Sequence, residues 1–220
     1  MKGERFERLA EALVEAGRRF DARGWVLGTS GNLSAVVERD PLTLAITPSG
    51  AFKGDLTPER ILQIDAKGAV VGGDARPSAE ALLHVEIVKA HQAAAVFHTH
   101  SVWGTVLSDL HASEDGLLIE GYEMLKGLAG VTTHAHGEWL PIIENDQDMP
   151  RLASVVAGTL ARHPAAHGFL LVRHGLYTWG ATIEEARRHV EILEFLLQAV
   201  GQTMACGRGV ERTQEHQSWR

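Results

Sequence analysis

Five apolar residues, Ala93-Ala94-Ala95-Val96-Phe97, run straight into His98-Thr99-His100. An apolar run of this length fits a buried strand, and residues two apart on an extended chain project to the same side, so both imidazoles emerge together at its end. On a helix the same pair would point well away from each other. The fold must therefore hold this strand inside while leaving its far end open to a site. A chain of 220 residues, 45% hydrophobic and 22% charged, is long enough to bury such a strand in a core without disulfides.

Around that strand the pattern alternates between helix and sheet. Phe6, Leu9, Ala10, Leu13, Ala16, Gly17 and Phe20 recur at three- and four-residue intervals, the stripe of an amphipathic helix ending near Gly24. Short apolar runs between turn residues follow, at Leu33 to Val37, Leu42 to Ile46, Ile61 to Ile64 and Ala69 to Val71, and read as strands. Pro77-Ser78-Ala79-Glu80 carries helix-start chemistry for a pattern through Ala90, which puts Glu80 in the first turn. Val102 to Leu110 and Tyr122 to Leu128 read as short helices, and Trp139 to Ile143 as a strand. Met149 to Arg162 is helical and is stopped by Pro164. Two strands, Phe169 to Val172 and Tyr177 to Trp179, bracket Arg173-His174-Gly175, and Ile183 to Met204 is a long final helix. The pattern predicts a single α/β domain over residues 1–205, its helices covering a central sheet, and a polar, mobile tail over residues 206–220.

The chain holds 12 histidines but only five lysines, and histidine is the side chain whose neutral form ligates metals near pH 7. His98 and His100 are a ligand pair by geometry, although polar residues capping a strand end would look the same. His174 is the candidate third ligand, because it sits in a glycine-containing turn where packing gives no reason for an imidazole. Three histidines with a vacant fourth position is the layout of a catalytic zinc site. His134-Ala135-His136 has the same spacing without the preceding strand, and reads as lying at the site mouth rather than on the metal. His84 and His189 fall inside helical patterns and read as packed or hydrogen-bonded. His91, His111, His163, His167 and His216 read as solvated.

Two turns combine glycines, hydroxyls and free backbone N–H groups, the equipment for cradling an anion: Gly28-Thr29-Ser30-Gly31-Asn32 and Thr47-Pro48-Ser49-Gly50. Each alone is also an ordinary turn. Ser78, at a predicted helix start, adds a third anion-attracting element. Lys53 either adds a charge there or is solvated. Glu80 and Glu123 are candidate acid/base carboxylates, each with a simpler reading as a helix-terminal or surface charge.

Twenty-eight acids against 21 lysines and arginines give a net charge of −7, which disfavours nucleic-acid or membrane-surface binding and points to a small-molecule partner. The lone Cys206 predicts a reducing compartment. The first residues have no apolar core that would read as a secretory signal, and no apolar run approaches a membrane span, so a cytoplasmic location is expected.

The ordered series Gly28-Thr29-Ser30-Gly31-Asn32, Thr47-Pro48-Ser49-Gly50, Pro77-Ser78-Ala79-Glu80, His98-Thr99-His100 and His174-Gly175 resembles the class II aldolase family, also called the aldolase/adducin family, from Gly24 to Ala205. Glu123-Met124-Leu125-Lys126-Gly127, Pro141-Ile142-Ile143-Glu144-Asn145 and the segment from Arg173 to Gly180 are similar to the family's dehydratase branch in methionine salvage. The resemblance implies a central, mostly antiparallel sheet between helical layers, and a homotetramer with active sites near subunit boundaries. It implies one Zn2+ per chain on His98, His100 and His174, and phosphate binding at Thr29, Gly31, Asn32, Ser49, Gly50 and Ser78. Ala79 stands where family aldolases often carry a second serine.

The implied activity is loss of water from 5-methylthioribulose 1-phosphate to give 2,3-diketo-5-methylthiopentyl 1-phosphate, through a metal-stabilised enediolate. The dehydratases resemble this chain at Glu123, which is the favoured acid/base, while Glu80 occupies the aldolase position and assists or touches the metal. Two alternatives accompany this: a sugar-phosphate aldolase cleaving C3–C4, and a non-catalytic scaffold like the head domain of adducin. Trp103, Tyr122 and Trp139 are candidate linings for a thioether pocket or core residues.

Overall fold

The computed structural model describes residues 2–207; Met1 and residues 208–220, which hold most of the tail and His216, lie outside the described residues. The strands are β1 (Asn32–Arg39), β2 (Leu42–Ile46), β3 (Leu62–Asp65), β4 (Val70–Gly72), β5 (Ala95–Thr99), β6 (Gly116–Glu120), β7 (Gly137–Ile143), β8 (Gly168–Leu171) and β9 (Gly175–Gly180). The helices are α1 (Lys2–Ala22), α2 (Ala81–His91), α3 (Val102–Leu110), α4 (Met149–Arg162) and α5 (Ile183–Ala205).

The strands form one sheet in the order β4-β3-β2-β1-β5-β9-β8-β7-β6, so the strand leading to His98 is central. Its pairings with β1 and β9 are antiparallel, and the pairing of β7 with β8 is parallel. Alternation along β5 divides the core. Val96 faces a layer built from Leu83 and Ile87 of α2 with Leu152 and Val156 of α4. Ala95 and Phe97 face the opposite layer, where Leu13 and Phe20 of α1 and Val190 of α5 pack. A third cluster joins Leu107 of α3, Leu193 and Leu197 of α5, and Leu170 and Leu176 of the sheet. Phe20 and Leu13 are fully buried, and each such side chain contributes about 1.5–3 kcal/mol by leaving water.

The expected α/β class with a mostly antiparallel sheet is present, but some elements differ from the sequence reading. Helix α2 begins at Ala81, with Glu80 as its N-cap. Pro77 instead bridges Pro48, and Ser49 N–H donates to the carbonyl of Arg76, so this segment stays extended against the second turn. Local start signals lost to that pairing, and Ser78 and Glu80 lie ahead of the helix. Residues Glu123–Gly127 form only a 3-10 turn, not a helix from Tyr122 to Leu128. Strand β6 gave no sequence signal strong enough to read; it is an outer strand with Leu118 exposed.

Candidate active site

Register on the sheet sets the first row of the site. His98 on β5 stands opposite Asn32 on β1 and Tyr177 on β9, and residues directly opposite share a face. His98 is fully buried and its ring stacks on Tyr177, centroids 3.9 Å apart with planes at 10°. Its Nδ1–H donates to the carbonyl of Leu176 at 3.0 Å, which leaves the lone pair on Nε2.

His100 and His174 complete the cluster. Nε2 of His98 lies 2.8 Å from Nε2 of His100 and 3.4 Å from Nε2 of His174. His174 is held in the turn between β8 and β9, where Arg173 has a left-handed backbone (φ 54°). Gly175 lets this turn close on β5, because a Cβ there would sit 2.0 Å from the carbonyl oxygen of Thr99.

Three imidazole nitrogens converging on one point repel unless a cation lies among them. The observed separations bracket the ~3.3 Å edge of a tetrahedron with ~2.0–2.1 Å ligand bonds. Burial, then the neighbouring His100 and His174, holds His98 well below the usual imidazole range. Burial, then His174 and Lys53, holds His100 down to about 4. Both are neutral near pH 7, the form that binds a metal. Glu80 adds a carboxylate, with Oε1 3.2 Å from His174 Nε2 and Oε2 3.6 Å from His98 Nε2. The donor set fits a divalent transition metal.

Beside this cluster opens a cleft of about 150 Å³. All six sequence-selected anion residues, Thr29, Gly31, Asn32, Ser49, Gly50 and Ser78, line it together with Glu80 and His100. Gly31 has φ +70°, and a Cβ on it would meet the carbonyl oxygen of His98 at 2.6 Å. The first turn can lie against β5 only because residue 31 is glycine. Asn32 donates to Oε2 of Glu80 at 2.6 Å and to Ser78 Oγ at 3.2 Å. Its Oδ1 meets Nε2 of His84, whose Nδ1 lies 2.7 Å from Ser34 Oγ. Burial pushes His84 down to about 3, so it is a neutral, hydrogen-bonded core histidine, as its helical position suggested.

Lys53 is neither solvated nor free. It is buried, and Nζ donates to the carbonyls of Thr29 at 2.9 Å and Ala51 at 2.8 Å, tying the two turns together. Desolvation lowers it to about 8. Glu194 of α5 was not foreseen: fully desolvated and pushed up to about 7, it accepts a hydrogen bond from Thr99, the residue between His98 and His100.

Glu123 is not brought to the cluster within its own chain. It is exposed, pairs with Lys126 and lies 3.7 Å from Nδ1 of His134. Trp103, Tyr122 and Trp139 do not line the cleft. His136 does not reach the cluster; it joins Glu138 and His167 instead. His167 and His91 are therefore misread as solvated: the former bonds Glu138, and the latter stacks on Trp179 at 4.3 Å. His189 donates from Nδ1 to the Trp179 carbonyl at 2.7 Å, in keeping with a hydrogen-bonded role.

The sequence of the chain is similar to a methylthioribulose-1-phosphate dehydratase of Methylococcus capsulatus, 46% identical over 197 residues that span 89% of this chain and 94% of that protein. A methylthioribulose-1-phosphate dehydratase of Marinobacter nauticus is 43% identical over 205 residues, 93% of this chain and 98% of that one. Among solved structures, YgbL from Klebsiella pneumoniae superposes with a TM-score of 0.76 at 28% identity, covering 90% of each chain. The pattern of the class II aldolase and adducin N-terminal domain matches residues 11–200. With that pattern matched over most of its length and relatives more than 40% identical along nearly all of it, the chain belongs to the class II aldolase and adducin N-terminal domain family.

Proposed function

We propose that the chain is a lyase that dehydrates 5-methylthioribulose 1-phosphate to the 2,3-diketone, within methionine salvage. The observation that carries this reading is the junction of an anion cleft with three converging imidazoles, alongside relatives named for that reaction at up to 46% identity.

The residues of His98, His100 and His174 would hold one divalent ion, for which we propose zinc. When bound, it supplies Lewis-acid stabilisation of negative charge developing on the ketose oxygens, contributing several kcal/mol. Backbone N–H groups and hydroxyls of the two turns receive the phosphate, whose position far from the breaking bond orients the sugar. Dehydration removes the C3 proton, acidified by the C2 ketone, and expels the C4 hydroxyl with a proton; the resulting enol becomes the diketone. A carboxylate that takes the first proton and gives it to the leaving hydroxyl contributes about 10²- to 10⁴-fold.

For that carboxylate we propose Glu123 of a neighbouring chain. It is exposed and does not line the cleft of its own chain, which supports a role in another chain's cleft. Helix α3 also displays Val102, Val106 and Leu110, spaced four apart and 68%, 38% and 62% exposed, an apolar stripe suited to the homotetramer that the family resemblance implies. Glu80 orients Asn32 and borders the metal position. We read residues 1–205 as one domain on one continuous sheet. Among the described residues no helix is long and apolar enough to cross a membrane, and we propose a cytoplasmic location.

A second reading is favoured by Glu80, the carboxylate that lies in the cleft: cleavage of C3–C4 by a retro-aldol reaction. Incubation with 5-methylthioribulose 1-phosphate separates the two. A diketone product with no small aldehyde supports dehydration; two carbonyl fragments overturn it.

A further inference from the structure

At the opposite end of the central strands lies a second convergence of ligand atoms. His167 immediately precedes β8 and His174 follows it, so the two sites are separated by the length of that four-residue strand, roughly 13 Å at ~3.3 Å per residue. There, Nε2 of His136 lies 2.8 Å and Nδ1 of His167 lies 2.9 Å from the same oxygen of Glu138, Oε2. The three ligand atoms lie within 4.8 Å of one another.

The arrangement is anchored as metal ligands are. His167 donates from Nε2 to the carbonyl of Ala129 at 2.8 Å, which fixes the ring with Nδ1 facing Glu138 Oε2, so an ion entering there displaces the proton that Nδ1 shares with that carboxylate. The other oxygen of Glu138, Oε1, accepts the backbone N–H of His167 at 2.9 Å. Glu138 is 1% exposed, so this is no surface acid. His136 and His167 open onto a cavity of about 470 Å³, in whose wall Nε2 of His91 is buried without a partner in the described chain. The cavity gives an ion a way in and leaves space for further ligands.

We propose that His136, Glu138 and His167 form a second divalent-metal site, separate from the catalytic one. Two imidazoles and one carboxylate suit zinc or a neighbouring transition ion rather than calcium or magnesium, which favour all-oxygen shells. An ion there clips the loop before β7 to the loop before β8. Its role is structural, since the cavity is lined by none of the cleft residues.

The test counts zinc bound to metal-stripped full-length chain by calorimetry and elemental analysis, with circular dichroism to verify folding. The wild type is expected to take two equivalents, His98→Ala one, His136→Ala one, and the double variant none. Zinc should raise the melting temperature of His98→Ala but not that of the double variant. Because His136 is partly exposed, its replacement leaves little to unfold; His136→Gln repeats the count with a side chain of similar reach. One equivalent in the wild type together with none in His98→Ala overturns the proposal and leaves the trio as a histidine–carboxylate ion pair only. Two equivalents in His136→Ala and His136→Gln also overturn it. Neither result bears on whether the catalytic site dehydrates its substrate.

Discussion

The side-chain amide of Asn32 donates to Oε2 of Glu80 at 2.6 Å across 48 residues of sequence, and this bond joins the glycine-turn cleft to the histidine cluster. Asn32 is opposite His98 on the sheet, so one residue touches both halves of the site. Replacing its neutral amide by a carboxylate sets two negative charges side by side next to the proposed phosphate position. Asn32→Asp is expected to raise KM for the sugar phosphate by roughly 10-fold or more. Steady-state kinetics and inhibition by inorganic phosphate check this; an unchanged KM removes Asn32 from the cradle.

His98→Ala takes away the most buried of the three imidazoles. The rate is expected to fall by about 10³-fold or more, the scale of several kcal/mol of lost charge stabilisation. Far-ultraviolet circular dichroism should be unchanged. Turnover equal to wild type would dismiss the cluster as a catalytic centre.

Glu123→Gln is expected to bind metal normally and to lose about 10²- to 10⁴-fold in rate. If Glu123 serves a neighbour's cleft, mixing it with inactive His98→Ala under conditions of subunit exchange restores activity, because hybrid sites combine an intact cluster with an intact carboxylate. No recovery, coupled with an inactive Glu80→Gln, transfers the proton role to Glu80.

Glu194 gives a pH signature. Its folded value of about 7 lies above the 4.5 of a free carboxyl, so the folded state holds its proton while the unfolded state ionises. Stability on this account is greatest below about 4.5, falls as pH rises, and levels off above about 7, a change of roughly 3 kcal/mol. Denaturant melts of wild type and Glu194→Gln across this window should diverge with rising pH. Parallel curves would show that the carboxyl ionises normally.

Lys53→Met removes the donor that two carbonyls share. Each buried acceptor left unpaired costs about 1–3 kcal/mol. A lower melting temperature and weaker inhibition by inorganic phosphate are expected together; loss of stability with unchanged phosphate binding would separate Lys53 from the cleft.

The histidine trio was legible because two of its members obey strand periodicity after an apolar run and the third stands in a turn with no packing duty. The glycine turns were legible as candidates, since only certain residues tolerate φ near +70°. Their meeting was not: it depends on the register of β1 with β5 and on the bridge from Pro48 to Pro77, neither of which is a local property. Lys53 was left open between a charge at the turns and a solvated lysine, because its burial is a tertiary outcome with no local signal. His136 and Glu138 did leave a trace, being two apart at the start of a strand, but their partner His167 lies 29 residues beyond Glu138.

The buried ammonium of Lys53 straps both glycine turns to each other through carbonyls of the chain itself. On the proposed reading, the receptacle for a phosphate is held by a bond that needs no substrate to form it. Little conformational freedom remains to be surrendered on association, so the attraction of the phosphate group can be spent on aligning the ketose.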